Sequence, residues 1–308
     1  MKIVVFGGTG FIGKVLCNEL AGKNQEVISV GKRKSGHGFT QGWGFTRIPF
    51  TRGILHRQGD IEDYEFVEKC LKGVDIVYNL VALSPLYQPI GGNRKHDEIH
   101  RRGTENIVRA AEKCGVKRMI HMSAVGANSN AETAYLRAKG NAEKIVKKSS
   151  FEWCIFRPSV VFGEGGEFIS FIKKIAPPYI TPLPGGGKMR FDPIWVKDLV
   201  EIMVNYTNSD FKSGEIFEIG GPEIMSMAEI TKAIHSSKGR PCVVVPIPMV
   251  MQKYLMAIAE IVPSILLPFG NDQYKSLKLD PVTKGNDVEK LGKSKKELMT
   301  MQAYLAGK

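Results

Sequence analysis

The chain has 308 residues, 43% of them hydrophobic, and its 43 Lys+Arg against 31 Asp+Glu leave a formal net charge of +12. That length fills one large α/β unit or two lobes, and no apolar run approaches the roughly 18 residues of a membrane span. Five scattered cysteines (Cys17, Cys70, Cys114, Cys154, Cys242) without a C-x-x-C pair argue against a disulfide framework or a zinc site. The first residues enter a strand at once with no cleavable signal pattern, so a reducing cytoplasm is expected. The positive charge would suit nucleic acid, an anionic membrane surface or a phosphorylated ligand. Its clusters are short, however (Lys32-Arg33-Lys34, Arg101-Arg102, Lys147-Lys148, Lys293 to Lys296), and most read as solvated surface, which disfavours a nucleic-acid face.

Lys2 to Phe6 is an apolar, β-branched run without alternation, the pattern of a strand buried on both faces of a parallel sheet. Gly7, Gly10 and Gly13 follow at G-x-x-G-x-x-G spacing, and Lys14 to Leu20 carries apolar residues at helical spacing. Strand, glycine turn and helix in that order form a dinucleotide site: the glycines allow a tight turn, close approach of a pyrophosphate and close helix–strand packing. The helix N-terminus offers free N–H groups to the phosphates. The second strand is read at Glu26 to Val30. An acidic residue at its end would hold a ribose 2′-hydroxyl, but the chain reads Gly31-Lys32-Arg33-Lys34-Ser35. Cations and a hydroxyl there suit the 2′-phosphate of NADP(H), favoured over NAD(H).

Ser35 to Gly59 reads as irregular. Helical spacing returns over Asp63 to Leu71, and Val74 to Ala82 is a long buried strand ending in the small Val81 and Ala82, as a cofactor lying across it requires. A Pro/Gly loop (Pro85 to Gly92), a helix (Asp97 to Lys113) and a strand (Arg118 to Ser123) continue the β-α alternation of a doubly wound parallel sheet. His96 and His100 fall one turn apart on the helix, but no third ligand accompanies them for a metal. Within the helical segment Glu132 to Lys148, Tyr135 and Lys139 sit at i, i+4 on one face. A lysine there would lower the phenol's pKa and bond a nicotinamide ribose, making Tyr135 a general acid/base.

Further strands are read at Trp153 to Phe156 and Ile216 to Gly220, with Pro177 to Gly187 as a loop between them. Met227 to Ser237 reads as a helix and Val243 to Pro248 as a short strand. Met249 to Ile261 is a methionine-rich helix, and Lys293 to Leu305 a charged amphipathic helix. The expected architecture is a Rossmann domain over residues 1–163, to which 194–222 return, with a smaller C-terminal α/β substrate or partner lobe over 164–193 and 223–308.

Taken together, GGTGFIG at Gly7 to Gly13, Gly59-Asp60-Ile61, Asn79 to Ala82, His100 to Ile107, Tyr135 to Lys139, Arg157 to Gly163 and Val196 to Leu199 resemble the extended short-chain dehydrogenase/reductases. Met122 to Ala127, Leu183 to Gly187 leading to Arg190-Phe191, Phe217 to Pro222 and Asn271 to Asp280 are similar to the atypical branch typified by the Rossmann-fold accessory subunit of respiratory complex I. The resemblance implies Gly7, Thr9, Gly10, Phe11, Ile12 and Gly13 at the pyrophosphate, and Lys32, Arg33 and Lys34 near the 2′-phosphate. It implies Asp60 and Ile61 at the adenine, Leu80, Val81 and Ala82 under the cofactor, Tyr135 and Lys139 at the nicotinamide ribose, and Pro158, Ser159, Val160 and Val161 beside the nicotinamide. Ser84 and Arg190 fall to the substrate.

Catalytic members place a serine or threonine about two residues past strand five. Ser123 comes early, Ala124 and Val125 stand at the expected position, and His100 replaces the helix asparagine. Two readings therefore stay open: an NADP-dependent oxidoreductase or epimerase/dehydratase-like enzyme with an unknown small-molecule substrate, or a module that holds NADPH without turning it over. The second would join a protein complex or touch a membrane surface through its C-terminal helices. RNA binding is a third, weaker reading. As a free-standing protein, the chain would be a monomer or homodimer.

Overall fold

The computed structural model describes residues 1–32, 49–87, 89–209, 211–247, 271–276 and 279–307. Arg33, Lys34 and the Met249 to Ile261 segment lie outside the described residues. Seven parallel strands form the central sheet: β1 (Lys2–Phe6), β2 (Glu26–Gly31), β3 (Leu55–Gln58), β4 (Ile76–Asn79), β5 (Arg118–Met122), β6 (Glu152–Pro158) and a last strand, Glu215–Ile219. Their spatial order is β3-β2-β1-β4-β5-β6, with Glu215–Ile219 beyond β6. β1 is central because Ile3, Val4, Val5 and Phe6 are all buried. In register, Val4 lies between Ile28 of β2 and Val77 of β4. From β1 the chain winds first toward β3 and then, from β4, the other way, so a crevice opens past the carboxyl ends of β1 and β4.

Each face of the sheet buries a helical layer. On one side α1 (Phe11–Gly22) and α7 (Val196–Asn208) bring Leu16, Cys17 and Leu20 against Leu199, Ile202 and Met203. On the other, α2 (Tyr64–Leu71), α4 (Gly103–Lys113) and α5 (Ala134–Val146) contribute Val67, Ile107, Ala111 and Val146. Ahead of α4, α3 (Arg94–His96) runs into a π-helical turn, Asp97–Arg102. The helix expected from Asp97 thus begins a turn earlier and is widened where His100 sits.

A third core joins α6 (Glu167–Ile175) and α8 (Met227–Ser236), with Phe168, Ile172, Ile230 and Ile234 packed on Phe162 and Phe191. Three short strand pairs border it: Val161–Phe162 with Ile194–Trp195, Arg190–Phe191 with Met225–Ser226, and Tyr179–Pro184 with Cys242–Ile247.

Three local expectations are corrected. Leu55–Gln58, expected irregular, is the sheet's edge strand: its Leu-His-Arg-Gln sequence lacks β-branched residues, but an edge needs only backbone pairing with β2. Tyr179–Pro184, expected as loop, is a strand whose prolines sit in a two-stranded ribbon, where no second neighbour needs their missing N–H. Lys293 to Leu305 is broken into a 3₁₀ turn (Lys295–Glu297) and a helix (Met301–Leu305). Leu298 and Met301 are buried in different cores, and one continuous helix would not deliver both.

Candidate functional site

The glycine turn closes on the backbone of its neighbours. Gly7 N–H and Gly8 N–H both donate to the Val30 carbonyl, at 2.9 and 3.1 Å, and Gly10 N–H donates to the Gly7 carbonyl at 2.9 Å. Gly7 has φ +81°, and a Cβ there would stand 2.9 Å from the Leu80 carbonyl carbon; at Gly13 a Cβ would lie 2.1 Å from the Gly7 oxygen. Neither position admits a side chain. α1 begins at Phe11 with Gly10 as its N-cap, no side-chain cap and no acid in its first turn. The first N–H groups of a twelve-residue helix therefore face the crevice with a positive dipole end, a fit to a pyrophosphate. Thr9 packs on Gly31, tying the turn to the end of β2.

At that end, Lys32 Nζ pairs with Asp60 at 2.7 Å and Glu62 at 3.4 Å. Lys32, Asp60 and Ile61 are thus brought together, Ile61 buried against Gly103 with its carbonyl accepting from Asn106 at 3.0 Å. Leu80 is buried, Val81 half-buried and Ala82 exposed, a strip that opens outward from the end of β4.

α5 starts at Thr133, whose hydroxyl caps it by accepting from Leu136 N–H, and carries Tyr135 and Lys139 one turn apart. Lys139 is buried, and Nζ donates to the Met122 carbonyl at the carboxyl end of β5 at 2.8 Å. Burial pulls its pKa down to about 8 against the opposing pull of Glu143. Burial pushes the Tyr135 phenol up to about 12. The expected lowering of the phenol by Lys139 is therefore corrected: desolvation governs the phenol, and the ammonium is directed at a carbonyl. The Tyr135 ring is met edge-on by His96 and His100, at centroid distances of 5.6 and 5.3 Å.

Ser123 is buried and donates to Glu143 Oε1 at 2.6 Å, and the same carboxylate takes a two-pronged bond from Arg157. Pro158 and Ser159 are buried while Val160 and Val161 are half-buried; the Ser159 hydroxyl donates to the Pro281 carbonyl at 2.6 Å. Ser84 accepts from Leu86 N–H within its own loop. Arg190 holds Asp280 through its backbone N–H and its guanidinium, each at 2.9 Å. Sequence reading did not single out Glu143 or the buried contact of Asn79 Nδ2 with His121 Nδ1 at 3.3 Å. No spacing signal marks them, because each is assembled across separate strands and helices.

The model of the family described as NAD dependent epimerase/dehydratase matches residues 3–220. The chain belongs to that family. The match takes in the glycine turn, Tyr135, Lys139 and all of the central sheet but Lys2 at its start. The chain is 26% identical over 233 residues to the mitochondrial NADH-ubiquinone oxidoreductase 40 kDa subunit of Neurospora crassa, covering 75% of this chain and 58% of that protein. It is 24% identical over 276 residues to UDP-glucose 4-epimerase of Vibrio cholerae, covering 80% and 79%. The chain spans less than two thirds of the length of the complex I relatives it matches, from 56 to 65%. In fold it superposes on a UDP-glucose 4-epimerase from Thermotoga maritima, solved with UDP-glucose, at a TM-score of 0.73. That match has 19% identity and covers 99% of this chain and 96% of that one.

Proposed function

We propose that this family member binds NADP(H) along the carboxyl edge of its sheet and acts as an oxidoreductase or epimerase/dehydratase-like enzyme with Tyr135 as acid/base. The observation that carries the reading is the glycine turn feeding the uncapped N-terminus of α1, with Tyr135 and Lys139 one turn apart on α5 within the same family match. Gly7 to Gly13 would hold the pyrophosphate, Lys139 the ribose, and Pro158 to Val161 the nicotinamide side. A bound nicotinamide dinucleotide supplies the hydride donor or acceptor. This chain's own groups orient the two reactants, exclude water and move a proton at the Tyr135 oxygen. Preference for NADP(H) rests on Lys32 and on the absence of an acid terminating β2. The Lys32 pairs with Asp60 and Glu62 are exposed, worth roughly 0–1 kcal/mol, and a 2′-phosphate would displace them. One relative is named UDP-glucose 4-epimerase and a structure of like fold was solved with UDP-glucose, so a nucleotide sugar is a first substrate to try. A cytoplasmic setting goes with this reading.

Turnover of NADPH with quinones, aldehydes and nucleotide sugars, compared between wild type and Tyr135→Phe, tests it. The variant is expected to lose about 100-fold or more in rate with NADPH affinity nearly unchanged. Equal rates in the two proteins would remove Tyr135 from the chemistry.

A second reading, a complex-I-accessory-like module that holds NADPH as a structural group, is favoured by the commitment of the Ser123 hydroxyl to Glu143. It is distinguished by NADPH raising the melting temperature while no substrate class draws on it.

A further inference from the structure

We infer that His100 and His121, beside Lys139 and Tyr135, form a donor-lined subsite that takes an oxygen acceptor, a carbonyl or carboxylate oxygen, from the molecule bound in this cleft. This deepens the proposed function and rests on reading the same cleft as the site.

Hydrogen bonds from the backbone fix which nitrogen of each ring carries its proton. Val81 N–H, which can only donate, lies 3.3 Å from Asn79 Oδ1. The Asn79 amide nitrogen is therefore the group facing Thr104 Oγ1 at 3.1 Å and His121 Nδ1 at 3.3 Å. Since that nitrogen donates, His121 Nδ1 accepts and the proton of the neutral ring is on Nε2. Leu83 N–H likewise donates to His100 Nε2 at 3.4 Å, which leaves the proton on Nδ1. His121 Nε2 and His100 Nδ1 are the atoms without a protein partner, on side chains that are 2% and 1% exposed. Both are buried N–H donors lacking an acceptor, a state that native interiors seldom tolerate.

Neutrality of the two rings follows from burial and from the Lys139 charge, which disfavour protonation of both. Among the described residues the carboxylates near the cluster are already committed, Glu98 and Asp97 on the same turn to Arg94, Lys95 and Arg101. Glu143 accepts from Ser123 and Arg157, and Asp272 accepts from the Ala134 N–H while also facing His96. Lys139 adds an ammonium with one proton on Met122. The His100 and His121 N–H groups are thus left without a protein acceptor beside an ammonium, and His96 Nδ1 next to them is likewise unpartnered. The π-helical turn at Asp97–Arg102 produces the arrangement, stacking His96 on His100 at 5.6 Å and 12° with both rings edge-on to Tyr135. Such widened turns recur at functional sites.

The test is ¹⁵N-histidine NMR of the full chain titrated with acetate, with acetone, and with methylammonium, a donor that has no acceptor. Acetate, acetone or both are expected to shift the protonated nitrogens of His100 and His121, while methylammonium leaves them unmoved. A response to acetate alone assigns a carboxylate, and a response to acetone a carbonyl. His100→Leu is expected to weaken the responding probe about tenfold, whereas His100→Asn, which retains an N–H donor, keeps most of the affinity. Silence of both rings toward acetate and acetone in the wild type would overturn the inference and leave internal water as their partner; so would undiminished affinity in His100→Leu. NADPH titrated into the same sample separates the two claims. NADPH binding with silent histidines sinks the subsite alone, and responsive histidines without NADPH binding sink the cofactor reading alone.

Discussion

Arg157 and Glu143 meet as a two-pronged ion pair, Nε to Oε1 at 2.8 Å and Nη2 to Oε2 at 2.6 Å, with the carboxylate side chain only 3% exposed. The pair links α5 to β6 immediately behind the Tyr135/Lys139 turn, and Glu143 also holds Ser123. Removing the acid alone leaves the half-buried guanidinium with only the longer contact to Glu218, at 3.8 Å. Glu143→Leu is expected to cost roughly 3 kcal/mol in urea denaturation, and Glu143→Leu with Arg157→Met to recover much of it. Equal losses in the single and double variants would show that the stability resides in the intact pair and that the stranded guanidinium adds no cost of its own.

The glycine turn separates a packing requirement from a ligand requirement. A Cβ at Gly13 would overlap the Gly7 carbonyl, whereas at Gly10 it would come no closer than 3.1 Å to the same oxygen. Gly13→Ala is expected to destabilise the fold by roughly 1–3 kcal/mol. Gly10→Ala should leave stability within about 0.5 kcal/mol and reduce dinucleotide affinity. Chemical denaturation and calorimetric titration of both variants check this.

Acid should weaken the protein through its histidines before its carboxylates. Burial holds His96 at about 4 and His121 at about 3 in the folded state, below the ordinary value of 6.5. The unfolded chain therefore binds more protons across that window, and stability falls as pH drops from 6.5 toward 4. His96 alone contributes on the order of 3 kcal/mol to that fall. Asp75 and Asp97, held down by hydrogen bonds from the Lys2 backbone and Arg101, add their losses only below roughly pH 4. Denaturation midpoints at pH 7 and 4.5 should converge in His96→Asn relative to wild type. Lys139 acts at the other end, since its folded value of about 8 makes stability rise between pH 8 and 10.5, and Lys139→Met should abolish that rise.

Cofactor choice should turn on Lys32. Lys32→Glu is expected to weaken NADPH about tenfold or more while leaving NADH affinity within about twofold, because only the 2′-phosphate needs a cation at the end of β2. Comparable losses for both cofactors would mean that Lys32 acts through its pairs with Asp60 and Glu62.

Much of the fold was legible because β1 and α1 state their environment locally: Lys2 to Phe6 is apolar without alternation, and the three glycines are spaced for one turn. Tyr135 and Lys139 were legible for the same reason, as two residues of one helix. Leu55–Gln58 was not, since an edge strand is defined by its neighbour and its own side chains need no burial. The break in the tail is not legible, because amphipathic spacing does not reveal that Leu298 and Met301 enter different cores. The tyrosine's surroundings were also out of reach. His121 comes from β5, Asn79 from β4 and His100 from a π-helical turn, and only the assembled sheet shows that one nitrogen of each histidine is buried without a partner.

The most direct measurement is calorimetric titration of the purified chain, first stripped of any nucleotide by unfolding and refolding, with NADPH and NADH, in wild type and Lys139→Met. The account predicts one site per chain, tighter for NADPH, with affinity reduced about tenfold or more in the variant. No heat of binding with either nucleotide, or equal affinities in wild type and Lys139→Met, would contradict it.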